Sequence, residues 1–148
     1  MKTLIIYMSI HHGNTKKIAE KIGEVLGAEL KKPNEVKPDE LGNYDLVGFG
    51  SGIYFGKFHA LILKFIDSLP DMAGKGAFVF STHGSSMEGY NKGFIKVLTQ
   101  KKFKVLGDYD CHGFDTFGPF KLIGGLAKGH PSENDLKRAG EFAEKLLM

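Results

Sequence analysis

The chain has 148 residues, and its 20 Lys and Arg against 17 Asp and Glu leave a net charge of +3 with histidine neutral. That length suits one domain around one core, and a content of 42% hydrophobic and 25% charged residues excludes a disordered chain. The positive balance is small and dispersed, which argues against nucleic acid as a partner.

Taken in chain order, apolar runs alternate with helical spacings. Lys2–Met8 reads as a first strand. Asn14–Leu26 reads as a helix, with Ile18, Ala19, Ile22, Val25 and Leu26 recurring at helical intervals and Gly27 as its C-cap. Ala28–Lys32 is a short second strand. Pro33–Gly42, with two prolines, reads as a weak second helix or only a turn. Tyr44–Gly50 is the third strand. His59–Leu69 is a helix ended by Pro70. Gly76–Ser81 is the fourth strand, Tyr90–Lys101 a helix and Phe103–Gly113 the fifth strand. Glu133–Leu147 closes the chain as a helix, with Ser132 as N-cap and acidic residues in its first turn. This alternation predicts a parallel sheet covered on both faces.

No linker, repeat or low-complexity tract divides the chain, so a single domain over 1–148 is expected. The start carries no small-residue cleavage site and predicts no signal peptide. No apolar run approaches the ~20 residues of a membrane span. A lone cysteine, Cys111, rules out an internal disulfide and fits a reducing compartment. A cytoplasmic protein without membrane insertion is the expectation.

In such a sheet, ligands gather at the carboxyl ends of the strands. Three polar, glycine-rich loops stand there: Ser9–Thr15, Ser51–Gly56 and Thr82–Gly89. A fourth segment, Thr116–Gly125, follows the fifth strand. The 20 glycines cluster just after the apolar runs, where backbone must approach a ligand closely. In the first loop, Ser9, Ile10, His11, His12, Gly13, Asn14 and Thr15 lead into a helix N-terminus. Its free N–H groups and dipole make an anion site, phosphate above all. The hydroxyls of Ser9 and Thr15 and the amide of Asn14 add donors. In the second loop, Ile53, Tyr54 and Phe55 stand between Gly52 and Gly56, as apolar cover for a flat ring. The third loop, Thr82, His83, Gly84, Ser85, Ser86 and Met87, offers backbone donors and a thioether. Phosphate at one end and two loops flanking a planar group describe a mononucleotide.

These motifs resemble the flavodoxins, the FMN-binding electron-transfer family. They are Gly13-Asn14-Thr15 after the first strand, Gly50-Ser51-Gly52 with Tyr54-Phe55-Gly56 after the third, and Gly84-Ser85-Ser86 after the fourth. Flavodoxins are themselves an example of the strand-end rule. The resemblance spans essentially the whole chain. It implies a doubly wound five-stranded parallel sheet in the order 2-1-3-4-5 with helices on both faces. It also implies one FMN, its phosphate on Ser9–Thr15 and its ring between Ser51–Gly56 and Thr82–Met87. Gly56 or its neighbour would mark a peptide that flips to bond the reduced ring. The protein would cycle FMN between oxidised, semiquinone and hydroquinone states for redox partner proteins.

Three departures from the family pattern matter. His12 stands where a threonine precedes the glycine, and Ser9 comes one place early. Met87 stands where a tyrosine often stacks on the ring, which leaves the ring more open to a substrate. The family is usually strongly acidic, whereas this chain is +3 and carries Lys57 just after Gly56. Less negative charge near the ring makes the anionic hydroquinone easier to form. A less negative low potential than in acidic flavodoxins is therefore expected.

A second function is open: an FMN-dependent reductase acting on a quinone or porphyrinogen. Ser51–His59 is also similar to the flavodoxin-like protoporphyrinogen dehydrogenases, whose long insertion near the fifth strand this chain lacks. Other chemistries on such a sheet fail on residues. A receiver needs an acidic pair after the first strand, where Ser9-Ile10 stands. A low-molecular-weight phosphatase needs Cys-x5-Arg, and no arginine closes such a loop after Cys111. A triphosphate loop needs Gly-Lys-Ser/Thr, which Gly13-Asn14-Thr15 is not. Cys111 reads as a small hydrophobe, and Gly124–Pro131 as a connection or a lid.

Overall fold

The computed structural model describes residues 1–10, 13–84, 89–113 and 129–148. Its first strand, β1 (Thr3–Met8), is apolar along nearly its whole length because both of its faces are covered. Next come α1 (Asn14–Leu26) and β2 (Glu29–Lys31), then β3 (Leu46–Tyr54) and β4 (Lys57–Phe58). They are followed by α2 (Ala60–Asp67), β5 (Gly76–His83), α3 (Tyr90–Gln100), β6 (Lys104–His112) and α4 (Glu133–Leu146). The main sheet runs β2-β1-β3-β5-β6 with every neighbour parallel. Counted without β4, this is the doubly wound order 2-1-3-4-5 expected from the sequence.

Two elements differ from the sequence reading. The third strand does not stop at Gly50 but continues to Tyr54, and β4 turns back antiparallel on it, pairing Ile53 with Phe58 and Tyr54 with Lys57. The segment expected as a loop is thus mostly a hairpin. Between Pro33 and Gly42 the α-helix alternative gives way to two short 3-10 turns, Pro33–Glu35 and Pro38–Asn43. Each proline sits in a first turn, where its missing N–H costs nothing. Glu35 and Glu40 reach back to accept from the Lys32 and Lys37 N–H at 2.7 and 3.2 Å.

The sheet separates two apolar layers. Leu4, Ile6, Val47, Phe49 and Val79 pack against α2, α3 and Leu41 on one face. Ile5, Tyr7, Phe78 and Phe80 pack against α1 and α4 on the other. On that second face β3 presents Gly48 and Gly50, which pair in register with Phe78 and Phe80. A Cβ added at Gly50 would lie 2.1 Å from the Phe80 ring, and one at Gly48 would lie 2.2 Å from the Phe78 ring. The glycines therefore leave the floor on which two fully buried rings lie. Because β1, β3, β5 and β6 are parallel, their carboxyl ends emerge along one edge of the sheet.

Candidate functional site

At the end of β1, Gly13 caps α1 from the left-handed region, φ 64°, and contributes no side-chain cap. Among the described residues, a Cβ there would meet nothing within 4 Å. Ser9 leans over that start, its hydroxyl accepting from the Lys16 N–H at 3.1 Å. The Thr15 hydroxyl, expected as a phosphate donor, has a partner within the chain. It is buried and hydrogen-bonded to the Thr82 hydroxyl at 2.9 Å, which fastens α1 to the end of β5. Asn14 stands at the helix start with its side chain packed into the space that a side chain at Gly113 would need. Ile10 is 41% exposed, an apolar side chain beside a polar turn. His11 and His12 lie outside the described residues.

The second cluster is the β3–β4 hairpin. Ser51 is fully buried at its base, where its hydroxyl donates to the Gly52 carbonyl at 2.6 Å and accepts from the His59 N–H at 2.9 Å. His59 in turn caps α2, Nδ1 accepting from the Leu61 N–H at 3.0 Å. Tyr54 folds back so that its hydroxyl fills the space a Cβ at Gly52 would take. The Tyr54 ring stands perpendicular to that of His59, centroids 5.4 Å apart. Ile53 is half-buried against the core. Phe55 and Gly56 make the turn with φ of 52° and 79°. Two left-handed residues in a two-residue connection define a type I′ turn, which favours Asn-Gly. A phenylalanine in the first place is strained by about 1–2 kcal/mol, and its ring is 87% exposed.

The third cluster turns inward. On β5, Ser81 donates to Asn91 Oδ1 at 2.6 Å, and Asn91 donates to Asp108 and to the Tyr109 carbonyl, both at 3.1 Å. Thr82 is taken by Thr15. His83 is buried, with Nε2 2.8 Å from Asp110 Oδ2. Thr82 and His83, expected beside a ring, also anchor the loop's root. Gly84 is half-buried. Ser85, Ser86 and Met87 lie outside the described residues, as do Thr116–Gly125 and positions 124–128.

Beside His83 lies a group that the sequence reading did not single out. The His83 and His112 ring centroids are 4.9 Å apart, and those of His112 and His130 are 5.5 Å apart. His130 Nδ1 is 2.5 Å from Asp135 Oδ2. A cavity of about 450 Å³ opens here, lined among others by His83, Asp110, His112 and Arg138. Two groups on its walls, Cys111 and Tyr109, hold their protons. Burial, with added repulsion from Asp135, pushes the Cys111 thiol up to about 12. Burial likewise raises the Tyr109 phenol, which donates to the Asp135 carbonyl at 2.7 Å. Burial raises Asp135, but hydrogen bonds from the Ser132 N–H and from His130 outweigh it and leave its carboxyl below the ordinary range. A signal was present in the sequence: Asp108, Asp110 and His112 alternate along one strand, a polar stripe on one face. Among the described residues, no group of three or more His, Cys, Asp or Glu is arranged to hold a metal ion, and no helix is long and apolar enough to cross a membrane.

Comparison with known proteins agrees with this frame. A family model described as a flavodoxin domain matches residues 4–110. An uncharacterized protein of Methanocaldococcus jannaschii is 50% identical, over 99% of both chains. An NAD(P)H dehydrogenase (quinone) of Geobacter sulfurreducens is 25% identical, over 94% of this chain and 92% of its own. The crystal structure of oxidised flavodoxin 2 from Bacillus cereus superposes with a TM-score of 0.78 at 23% identity, covering 99% of this chain and 98% of that one.

Proposed function

The chain belongs to the flavodoxin family, and on that premise we propose that it binds one FMN at the carboxyl edge of its sheet and works as an electron carrier. The observation that carries the reading is the start of α1. A helix N-terminus whose cap, Gly13, is left-handed and brings no side chain, with Ser9 the one described hydroxyl bonded into its first turn, suits a phosphate. Thr15 and Thr82 hold that terminus against β5, so the phosphate donors and the third loop share one rigid base. The exposed Phe55 and Ile10 supply apolar surface for a planar ring.

Bound there, FMN would supply reversible one- and two-electron chemistry. This chain's residues would orient it and exclude water from one side. The sites assigned to it are Ser9–Thr15, Ser51–Gly56 and Thr82–Met87. Lys57, exposed beside the turn, places positive charge near where a reduced ring gains negative charge. It also shapes which redox partner proteins approach.

The test is the visible spectrum of the protein mixed with FMN and reduced stepwise. Bands near ~370 and ~450 nm, with a long-wavelength band at half-reduction, are expected of a one-electron carrier. Failure to take up FMN overturns the reading.

A second reading is direct reduction of a quinone- or porphyrinogen-type molecule by the same flavin. The buried His83, paired with the more exposed Asp110 at the root of the third loop, favours it, and the Geobacter relative carries a quinone in its name. Oxidation of NAD(P)H by a quinone in the presence of the protein would separate it from the carrier reading.

A further inference from the structure

We propose that the cavity at the ends of β5 and β6 is an acid–base pocket that binds a small carbonyl acceptor of the quinone class and protonates its oxygens. The inference rests on the flavin reading, which supplies the electrons. Three imidazoles in a row, each end backed by a carboxylate, carry it: Asp110, His83, His112, His130, Asp135. A carboxylate on an imidazole orients the ring and favours its protonated form.

Solvation grades along the row. The His83 side chain is 4% exposed, whereas Asp110 is 41% and His130 37% exposed. His83 is thus shielded, while Asp110 on one side of it and His112 and His130 on the other reach water. Ring centroids 4.9 and 5.5 Å apart set the three imidazoles side by side from buried His83 out to His130. A proton spent at His83 or His112 can therefore be replaced from solvent.

The surroundings select the role. Cys111 and Tyr109, facing the cavity from β6, keep their protons and do not compete as bases. Tyr90 lies against His83 from α3, ring centroids 5.2 Å apart. Arg138, the chain's single arginine, faces the cavity from the exposed side of α4 and attracts electron-rich oxygen. Asp135 lines the same wall, but its carboxylate is already held by His130 and the Ser132 N–H.

The step balances. Two electrons leave the reduced flavin, which is oxidised and gives up its ring N–H proton to water, and the quinone is reduced. Two protons pass in turn from the Nε2–H side of the His83 ring, backed by Asp110, and form two O–H bonds. Each is replaced from water by way of His112 and His130.

Two measurements test this. In the first, flavin-free protein with 15N-labelled histidine is titrated with duroquinone. The ring signals of His83 and His112 are expected to shift, and that of His59, held by α2 and Tyr54, to stay. In the second, flavin-loaded protein is reduced with one equivalent of dithionite and mixed with duroquinone, and flavin reoxidation is timed. Its rate is expected to fall as pH rises from about 6 to about 9, through the histidine range. His112→Gln, half-exposed at a strand end, is expected to slow it at least about tenfold and flatten that profile. Arg138→Ala, on the exposed face of α4, raises the duroquinone concentration needed and leaves the profile's shape. Silent rings, or a rate independent of pH and untouched by His112→Gln, overturn the pocket. The ring shifts need no flavin, so a failure of FMN uptake is read separately and counts against the carrier reading instead.

Discussion

The hairpin end of β3 and the paired ends of β5 and β6 lie along one edge of the sheet, yet they are built differently. The hairpin end is made by backbone. Its turn takes two left-handed residues, its ring is exposed, and its floor is two glycines under phenylalanine rings. The β5–β6 end is made by side chains: Ser81 with Asn91, His83 with Asp110, and His112 beside His83 and His130. The first arrangement suits a surface that a flat group touches and that adjusts its peptide. The second suits fixed proton donors. Placing both on one edge puts shape and acid–base chemistry side by side without forcing one loop to supply both.

The hairpin end breaks most severely from beneath. Gly50→Ala sets a methyl 2.1 Å from the ring of Phe80, which is fully buried and cannot move aside. Overpacking of this kind should cost about 3 kcal/mol, read as a fall in the urea midpoint at unchanged slope. A midpoint equal to wild type would show that β3 and β5 can separate, and that the glycine floor is not required.

The β5–β6 end yields to a smaller change. Asp135→Asn removes the charge that His130 and the Ser132 N–H share, and it weakens the cap of α4. A loss of about 1–2 kcal/mol is expected near neutral pH. The sign of its pH dependence follows from the lowered carboxyl. In wild type the contribution is complete above the unfolded carboxyl's value of about 3.9 and disappears as pH falls through the lower folded value. The gap between wild type and Asp135→Asn should therefore close in acid. A gap that stays constant below about pH 4 would assign the cost to packing rather than to charge.

The two ends were also unequally legible in the sequence. Strand and helix positions followed from local pattern, because α1 and α4 each carry a helical period that burial enforces and β1 is an unbroken apolar run covered on both faces. Gly13 and Gly56 marked the turns, since their positive φ fits few residues other than glycine. The hairpin was harder: β4 has two residues, too few to show a period, and Phe55 occupies a left-handed position that sequence rules would give to Asn. The histidine row was hidden for a different reason. His83, His112 and His130 are 47 residues apart from first to last by chain number, and only the pairing of β5 with β6 and the entry of α4 bring them together. Thr15 and Thr82 show the reverse case. Both stood in the right loops, but their hydroxyls serve each other.

The smallest expected effect separates strain from use at the hairpin tip. Phe55→Asn gives the type I′ turn a residue suited to φ 52°. Relief of that strain should raise stability by about 1 kcal/mol, because the 87% exposed ring has little packing to lose. If that ring covers the flavin, FMN affinity should fall about fivefold in the same variant, measured by quenching of FMN fluorescence on binding. Stability and affinity would then move in opposite directions, as they do where local strain is kept for function. A rise in stability with unchanged affinity would leave Phe55 as a strained residue without a role in binding, and would shift the ring's apolar cover to Ile10 and Tyr54. A fall in both would mean the tip packs on the protein, which its exposure argues against.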